Sequence, residues 1–286
     1  MVSVLLKGNL GNNLFQYSIG RIIAEELGYN LQTPRITEGP TPDYQNQGIP
    51  GFPQTYKGIG GKEFSSPVET CGWWQDIDIQ SIINNKSDRR INIDGHFEKY
   101  EYYKPYKDRI KKWLTLDDKI TNEYVLDDES LVVHLRLFGN DYNYMLPLSY
   151  YHDCIKKSGC SKIYLCTDVP KDARLERFKN EYGAIICNQF SAPIDSQVIE
   201  DNRTHSSVAS GLRDFKVLIS AKNIVMSRST FSWWAAWISD AKKIYFPKSD
   251  QGLWGKNDPR LHMNINLDID EERIINVRFK EGPDNE

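Results

Sequence analysis

The second half of the chain alternates apolar runs with helical periods, and this alternation limits the fold more than any other feature. Leu131–Leu135, Lys162–Thr167, Ala184–Cys187, Asn223–Met226 and Lys243–Phe246 read as strands, and Leu148–Lys157, Lys171–Tyr182, Ser207–Ala221 and Phe231–Ser239 between them read as helices. Strands alternating with helices form βαβ units, which build a parallel sheet covered on both faces. Right-handed crossovers put all the strand carboxyl ends on one edge, and ligands of such sheets bind beyond that edge. The residues that follow each strand are therefore the candidates for chemistry.

The amino-terminal half opens with one more unit of this kind. Val2–Leu6 is an apolar run, Lys7–Tyr17 a loop containing Gly8 and Gly11, and Ser18–Gly28 a helical period. The two glycines permit a tight turn and close approach of a ligand. The amides that open the helix favour an anion, and Asn12 and Asn13 add neutral hydrogen-bonding groups beside them. The same residues equally suit a plain strand-to-helix turn, because the spacing is neither the dinucleotide fingerprint nor a Walker loop. Thr33–Pro67 is rich in Gly and Pro and is expected to be a long loop, either a lid or acceptor surface or a surface excursion. Cys71–Trp74 and Ile91–Phe97 have strand character and Lys107–Leu114 is helical; the acidic stretch Thr115–Ser130 then marks a boundary between domains 1–125 and 126–286.

A chain of 286 residues accommodates two such domains. Its net charge of -3 and pI near 6.0 argue against a nucleic-acid partner. No run is long enough to span a bilayer, no signal peptide is evident, and five cysteines without a C-x-x-C pair suggest reduced thiols. The expected setting is cytoplasmic, with no integral membrane segment.

The strand ends carry specific chemistry. His134-Leu135-Arg136 places an arginine where its planar fork can clamp a diphosphate. Asp141, a few residues on, can take a proton, hold a sugar hydroxyl, or simply pair with Arg136. Thr167-Asp168 suits a helix cap. Asp214 sits within a helix and matters only if that helix lines the cleft. Ser229 and Thr230 are N-cap residues in front of a helix whose amides can grip phosphate. The Trp233, Trp234 and Trp237 stripe reads as core. Two Asp-x-Asp pairs, Asp76/Asp78 and Asp268/Asp270, end no convincing parallel strand, so no metal is expected.

Four segments, in order, resemble the α-1,2-fucosyltransferases, glycosyltransferase family 11. Gly8–Tyr17 is similar to that family's G-x-x-G-N-Q-x-F-Q-Y segment. His134-Leu135-Arg136 with Gly139–Tyr142 and Leu146–Tyr151 resembles its H-x-R-R-G-D-Y and L-P-x-x-Y-Y segments. Asp214-Phe215 resembles its D-F pair, and Ser227–Trp237 is similar to S-N-S-T-F-S-W-W-A-A-W nearly residue for residue. The resemblance implies a GT-B fold, two Rossmann-like domains facing across a cleft, with the first the acceptor side and the second holding the donor. It implies an inverting, metal-independent enzyme that needs no cofactor. That enzyme would move L-fucose from GDP-β-L-fucose to the 2-hydroxyl of a terminal β-galactose on an oligosaccharide. By the family pattern Arg136 meets the diphosphate, His134 lies against the nucleotide, and Asp214 holds the guanine or ribose side. Ser229, Thr230 and Ser232 meet the phosphates, and Gly11 and Asn12 approach the donor. Asp141, or else His96, would take the acceptor's proton. One departure stands out: Leu137 replaces the family's second arginine, with Arg228 or Lys248 as substitute cations. That leaves room for another donor sugar, or for a non-catalytic sugar- or nucleotide-binding protein. A Rossmann oxidoreductase is disfavoured, since no ribose-binding acid follows the first glycines.

An Asn12→Ala variant is expected to lose turnover more than GDP affinity, read as kcat against the GDP Kd. Equal losses in both would place Asn12 in the nucleotide site instead.

Overall fold

The computed structural model describes residues 1–33, 48–49, 51–54, 56, 58, 68–71, 76–85, 87–137, 145–187, 205–249 and 265–280, with backbone alone over 205–210. The chain divides into two compact units, Met1–Asp117 with Arg260–Asn266, and Asp118–Pro259 with Leu267–Glu286. The crossing at Asp117–Asp118 lies within the acidic stretch, ahead of the expected 125/126 division.

The first unit contains β1 (Val2–Val4), α1 (Leu10–Leu27), β2 (Leu31–Gln32), β3 (Val68–Cys71), α2 (Ile79–Asn84), β4 (Arg90–Ile93), α3 (Tyr100–Tyr103) and α4 (Lys107–Trp113). Its sheet is parallel throughout, in the order β2-β1-β4-β3. Helix α1 begins at Leu10, not at Ser18. Asn9 takes the extended N-cap conformation, and Leu14, Phe15 and Ile19 are wholly buried. Burial of that apolar face outweighs the poor helix propensity of Gly11, Asn12 and Asn13, which form the first turn. The loop shrinks to Leu5–Asn9. At the other end Gly28, at φ 69°, closes the helix, with the Tyr29 amide donating to Ala24 O at 2.8 Å.

The second unit contains β5 (Ser130–Leu135), α5 (Leu148–Ser158), β6 (Lys162–Thr167), α6 (Leu175–Tyr182), β7 (Ile185–Ile186), α7 (His205–Ser220), β8 (Asn223–Val225), α8 (Thr230–Ile238), β9 (Lys243–Lys248) and β10 (Ile274–Arg278). All pairings are parallel, in the order β10-β9-β8-β5-β6-β7. This is the doubly wound order of a Rossmann domain, with the reversal between β5 and β8. Strand β10 was not expected from the sequence. It is an edge strand in which only Val277 is buried, so it lacks an apolar run.

Beneath the sheet edge, Trp233, Trp234 and Trp237 are fully buried with ring centroids 5.2–5.5 Å apart, and Trp233 Nε1 donates to Leu267 O at 2.8 Å. The stripe is core, as its helical spacing indicated. Arg273 donates to Trp237 O and Ser239 O, each at 2.7 Å, and so satisfies the carboxyl end of α8. These contacts fix the helix axis and aim its amino terminus at the edge where the strands end.

The packing of α1 on β1 leaves no room at Gly20, where a Cβ would stand 2.1 Å from Val4 Cγ2 and 3.3 Å from Leu31 Cδ1. Gly20→Ala is expected to destabilise the protein by about 1–3 kcal/mol, as overpacking typically does. Adding Val4→Ala should recover part of that loss. Urea midpoints of the three variants give the measurement, and additive losses would refute the clash.

Candidate functional site

Strands β5 and β8 run side by side, and the residues leaving them form the site of the second unit. His134, the penultimate residue of β5, is buried, and its Nδ1 lies 2.5 Å from the Ser227 hydroxyl just after β8. Burial, with the Arg136 charge nearby, pushes the imidazole down to about 3, so the ring is neutral. Its other neighbour is Phe231, at a ring-centroid distance of 5.3 Å. The Tyr150 hydroxyl from α5 lies 3.0 Å from Met226 O and 3.1 Å from Tyr245 O, and ties the exit of β8 to the middle of β9.

Arg136 follows β5 directly and is half-buried at the sheet edge; among the described residues no carboxylate is paired with it. Ser229 is the N-cap of α8, in extended backbone, and its hydroxyl oxygen accepts from the Phe231 amide at 3.2 Å. Thr230 is the first helical residue, one position later than the cap expected of it. The Ser232 hydroxyl is fully buried, 3.3 Å from Ser227 O and 3.2 Å from Ser229 O, and ties the turn internally. Asp214 in α7 is buried, not solvated, and its carbonyl lies 3.9 Å from the Cys166 thiol near the end of β6. The structure thus gathers His134, Arg136, Ser227, Ser229 and Thr230 at the reversal point of the sheet. An anion placed there would meet a guanidinium and a helix amino terminus.

Asp168 does not cap a helix. Its Oδ1 accepts from the Leu137 amide at 2.9 Å and so clamps the exit of β5 to that of β6. Leu137 itself is buried. Of the two substitute cations, Arg228 is buried with its guanidinium 5.2 Å from the Phe279 ring, and Lys248 is ion-paired with Asp268. Asp141 lies outside the described residues, as do Gly139 and Tyr142.

In the first unit the corresponding edge joins the exits of β1 and β4. Gly8, at φ 74°, turns the chain toward α1, and a Cβ there would stand 2.8 Å from Asn12 Nδ2. Gln16 is buried and central. Its Oε1 accepts from the Lys7 amide at 2.9 Å and its Nε2 donates to Gly95 O at 3.2 Å, while Asn13 Nδ2 donates to Lys7 O at 2.8 Å. Lys7 forms an ion pair with Asp94. Gly11 and Asn12 occupy the first turn of α1, and His96 follows β4 on the same edge. Sequence reasoning missed Gln16 as a hub and Ser227 as the partner of His134. Both lay inside quoted segments, but their partners are distant in the chain.

Three of the four carboxylates of the Asp-x-Asp pairs have identified partners. Asp76 pairs with Lys99 at 2.8 Å, Asp78 caps α2 through the Ser81 amide at 2.9 Å, and Asp268 pairs with Lys248. Among the described residues no group of three or more His, Cys, Asp or Glu side chains is placed to hold a metal. The five cysteines are free thiols, and no described helix is long and apolar enough to cross a membrane.

Residues 171–252 match the family model of glycosyl transferase family 11. That stretch runs from just before α6 to just after β9 and contains Asp214 and Ser227–Ser232. It stops short of Arg136 and of the amino-terminal segment. No curated protein matches the chain significantly. Among solved structures the chain resembles NodZ α-1,6-fucosyltransferase soaked with GDP-fucose, at 14% identity and a TM-score of 0.50, over 85% of this chain and 93% of that one. It also resembles fucosyltransferase NodZ from Bradyrhizobium, at 13% identity and a TM-score of 0.51, over 85% and 94% of the respective chains. At such identities the likeness concerns the fold, which is of GT-B type with two Rossmann-like units.

A consequence for pH follows from His134. The unfolded chain protonates this ring near the ordinary 6.5, the folded chain only near 3, so the unfolded state takes up the proton first. The stability His134 contributes is present above 6.5 and drains away as pH falls toward about 3. His134→Gln is expected to flatten the fall of the urea midpoint across that window. An unchanged slope would show that His134 is not buried neutral.

Proposed function

We propose that this chain is a fucosyltransferase of glycosyl transferase family 11. In this reading it takes L-fucose from GDP-β-L-fucose and places it, with inversion, on the 2-hydroxyl of a terminal β-galactose of an oligosaccharide. One observation carries it. Ser227–Thr230, within the stretch matched by the family model, meet His134 at the reversal point of a Rossmann sheet, where nucleotides bind, and Arg136 leaves the strand that carries His134.

The chemistry is a single displacement. The acceptor oxygen bonds to C1 of fucose, the C1–O bond to the diphosphate breaks, and its electron pair departs with GDP. Negative charge grows on the diphosphate, so catalysis needs fixed positive charge there. Arg136 supplies a full charge, and the α8 amino terminus supplies a partial one with the Ser229 and Thr230 hydroxyls beside it. Neutral His134 adds no charge and packs against Phe231 with the rings tilted by 34°, which suits a wall for the nucleotide. Asp214 takes the guanine or ribose side. Gly11 and Asn12 are donor contacts on the strength of the sequence resemblance. The acceptor proton goes to Asp141 or His96. No metal enters this scheme, and the enzyme is assigned to the cytoplasm.

The α-1,2 linkage and the galactose acceptor rest on the resemblance of Gly8–Tyr17 and Ser227–Trp237, whereas NodZ, of like fold, is an α-1,6-fucosyltransferase. Leu137, where the resemblance has arginine, favours a second reading, the same chemistry with another nucleotide sugar.

GDP is expected to bind in preference to UDP and NAD by calorimetry. GDP-fucose with a β-galactoside should give an α-1,2-linked product, equally with and without chelator. Preference for UDP overturns the donor, another linkage overturns the acceptor position, and loss with chelator overturns the metal-free scheme. GDP binding without any transfer would instead mark a binding protein. Arg136→Ala should lower kcat by about 100-fold or more, the usual effect of removing one transition-state charge contact; near-normal turnover removes Arg136 from the mechanism.

A further inference from the structure

Strands β5 and β6 pair in register from Ser130 and Lys162 to Leu135 and Thr167, and the ladder ends there. Arg136 and Leu137 are the first residues beyond it. A backbone that leaves a ladder must find other partners for its amides and carbonyls. Leu137 finds both in one connection, the chain between β6 and α6. Asp168 Oδ1 accepts from the Leu137 amide at 2.9 Å, and Arg174 Nη2 donates to the Leu137 carbonyl at 3.2 Å. The Leu137 side chain is a third anchor, buried in the apolar cluster with Leu135 and Leu146.

The connection that supplies these groups is itself fixed. Arg174 binds the Asp172 carboxylate through Nε at 2.8 Å and through Nη2 at 2.7 Å, and the Arg174 amide donates to the same carboxylate at 2.9 Å. The Asp172 amide donates to Val169 O at 3.0 Å, and the Leu175 amide to Asp172 O at 3.1 Å. A planar fork held along one edge is a directed donor, not a flexible one. The Leu137 carbonyl is therefore kept where that fork points.

This grip controls the residue before it. Arg136 lies between Leu135, the last residue of the ladder, and Leu137, held at three points. Its backbone is left with one course, and its half-buried side chain with one direction of departure. A long side chain that starts from a fixed origin has less freedom to lose when a ligand arrives.

We propose that Asp168 and Arg174 are positioning residues for Arg136, which preset its guanidinium, through Leu137, for the diphosphate of a nucleotide held by the second unit. The inference rests on the nucleotide-binding part of the fucosyltransferase reading and extends it to the β6–α6 connection. Neither residue has to touch the nucleotide for this.

Asp168→Asn keeps an oxygen that accepts from the Leu137 amide, and Asp168→Ala does not. Both remove the same negative charge, so the difference between them reports the hydrogen bond alone. In NMR exchange measurements on the whole chain without ligand, the Leu137 amide should exchange at least about tenfold faster in Asp168→Ala than in Asp168→Asn. GDP, titrated by calorimetry, should bind about 2- to 10-fold more weakly to Asp168→Ala than to Asp168→Asn, the usual cost of ordering one long side chain. In an Arg136→Ala background that difference should vanish, because the residue being positioned is gone. Equal Leu137 exchange in the two variants overturns the clamp. Equal GDP affinities, or a difference that survives Arg136→Ala, overturn the positioning role. A parent that binds GDP without transferring fucose overturns the fucosyltransferase reading alone, since the affinities are read without transfer. A parent that binds no GDP overturns the nucleotide site and the positioning role with it, while Leu137 exchange judges the clamp separately.

Discussion

The adjacency of β5 and β8 is the constraint on which the second unit depends. The two strands are far apart in sequence, yet Leu131, Val132 and Val133 pair in register with Asn223, Ile224 and Val225. Because both are parallel and central, every side chain of β5 is buried, and hydrogen bonds at their exits must be made by whatever leaves the sheet. His134 and Ser227 make that bond across the seam. It sets which imidazole nitrogen faces Ser227 and fixes the turn from which α8 starts, while burial and the Arg136 charge keep the ring neutral. Tyr150 from α5 adds a second tie on the far side of β8 by bridging the carbonyls of Met226 and Tyr245. The amino-terminal end of α8 is therefore held by strand pairing, one hydrogen bond and one tyrosine, with Arg136 delivered by β5.

The first unit solves the same problem with different chemistry. Its β1 and β4 exits are joined by Gln16, a buried amide that can donate and accept at once. The amide holds Lys7 and Gly95 by their backbones, and the Lys7–Asp94 ion pair spans the same gap at the half-exposed surface. An amide suits this place because it satisfies one amide and one carbonyl without burying charge. Gly8 completes the arrangement, since its left-handed backbone and missing Cβ leave the space that Asn12 fills.

Much of this was legible in the sequence, and the failures have physical causes. Alternation of strands and helices gave the parallel sheet of the second unit and the bounds of α5, β6 and α8 nearly to the residue, because buried parallel strands must be apolar throughout. Ser229 was readable as a cap because its side chain competes for its own backbone. The start of α1 was not, because Gly11, Asn12 and Asn13 have loop propensities that tertiary burial of Leu14 and Phe15 overrides. Asp168 was read as a local cap, but its partner is the Leu137 amide on another strand.

Leu137 is the departure that bears most on the chemistry, and its surroundings explain why a lone arginine at this site is a consistent design. Side chains alternate along an extended strand, so the residue after Arg136 must turn the other way, and Leu137 turns into the core with Leu135 and Leu146. Its amide is fastened to Asp168 and its carbonyl lies 3.2 Å from Arg174 Nη2. Arg174 in turn is paired with Asp172, at 2.8 Å through Nε and 2.7 Å through Nη2, and holds that carboxyl below its usual range. An arginine at 137 on this backbone would carry its guanidinium into an apolar cluster, where an unpaired charge costs far more than a surface ion pair returns. A second phosphate-binding arginine is thus incompatible with the way this chain leaves β5. In the proposed scheme the positive charge then comes from Arg136 and the end of α8, and the strand exit is pinned from both sides by Asp168 and Arg174.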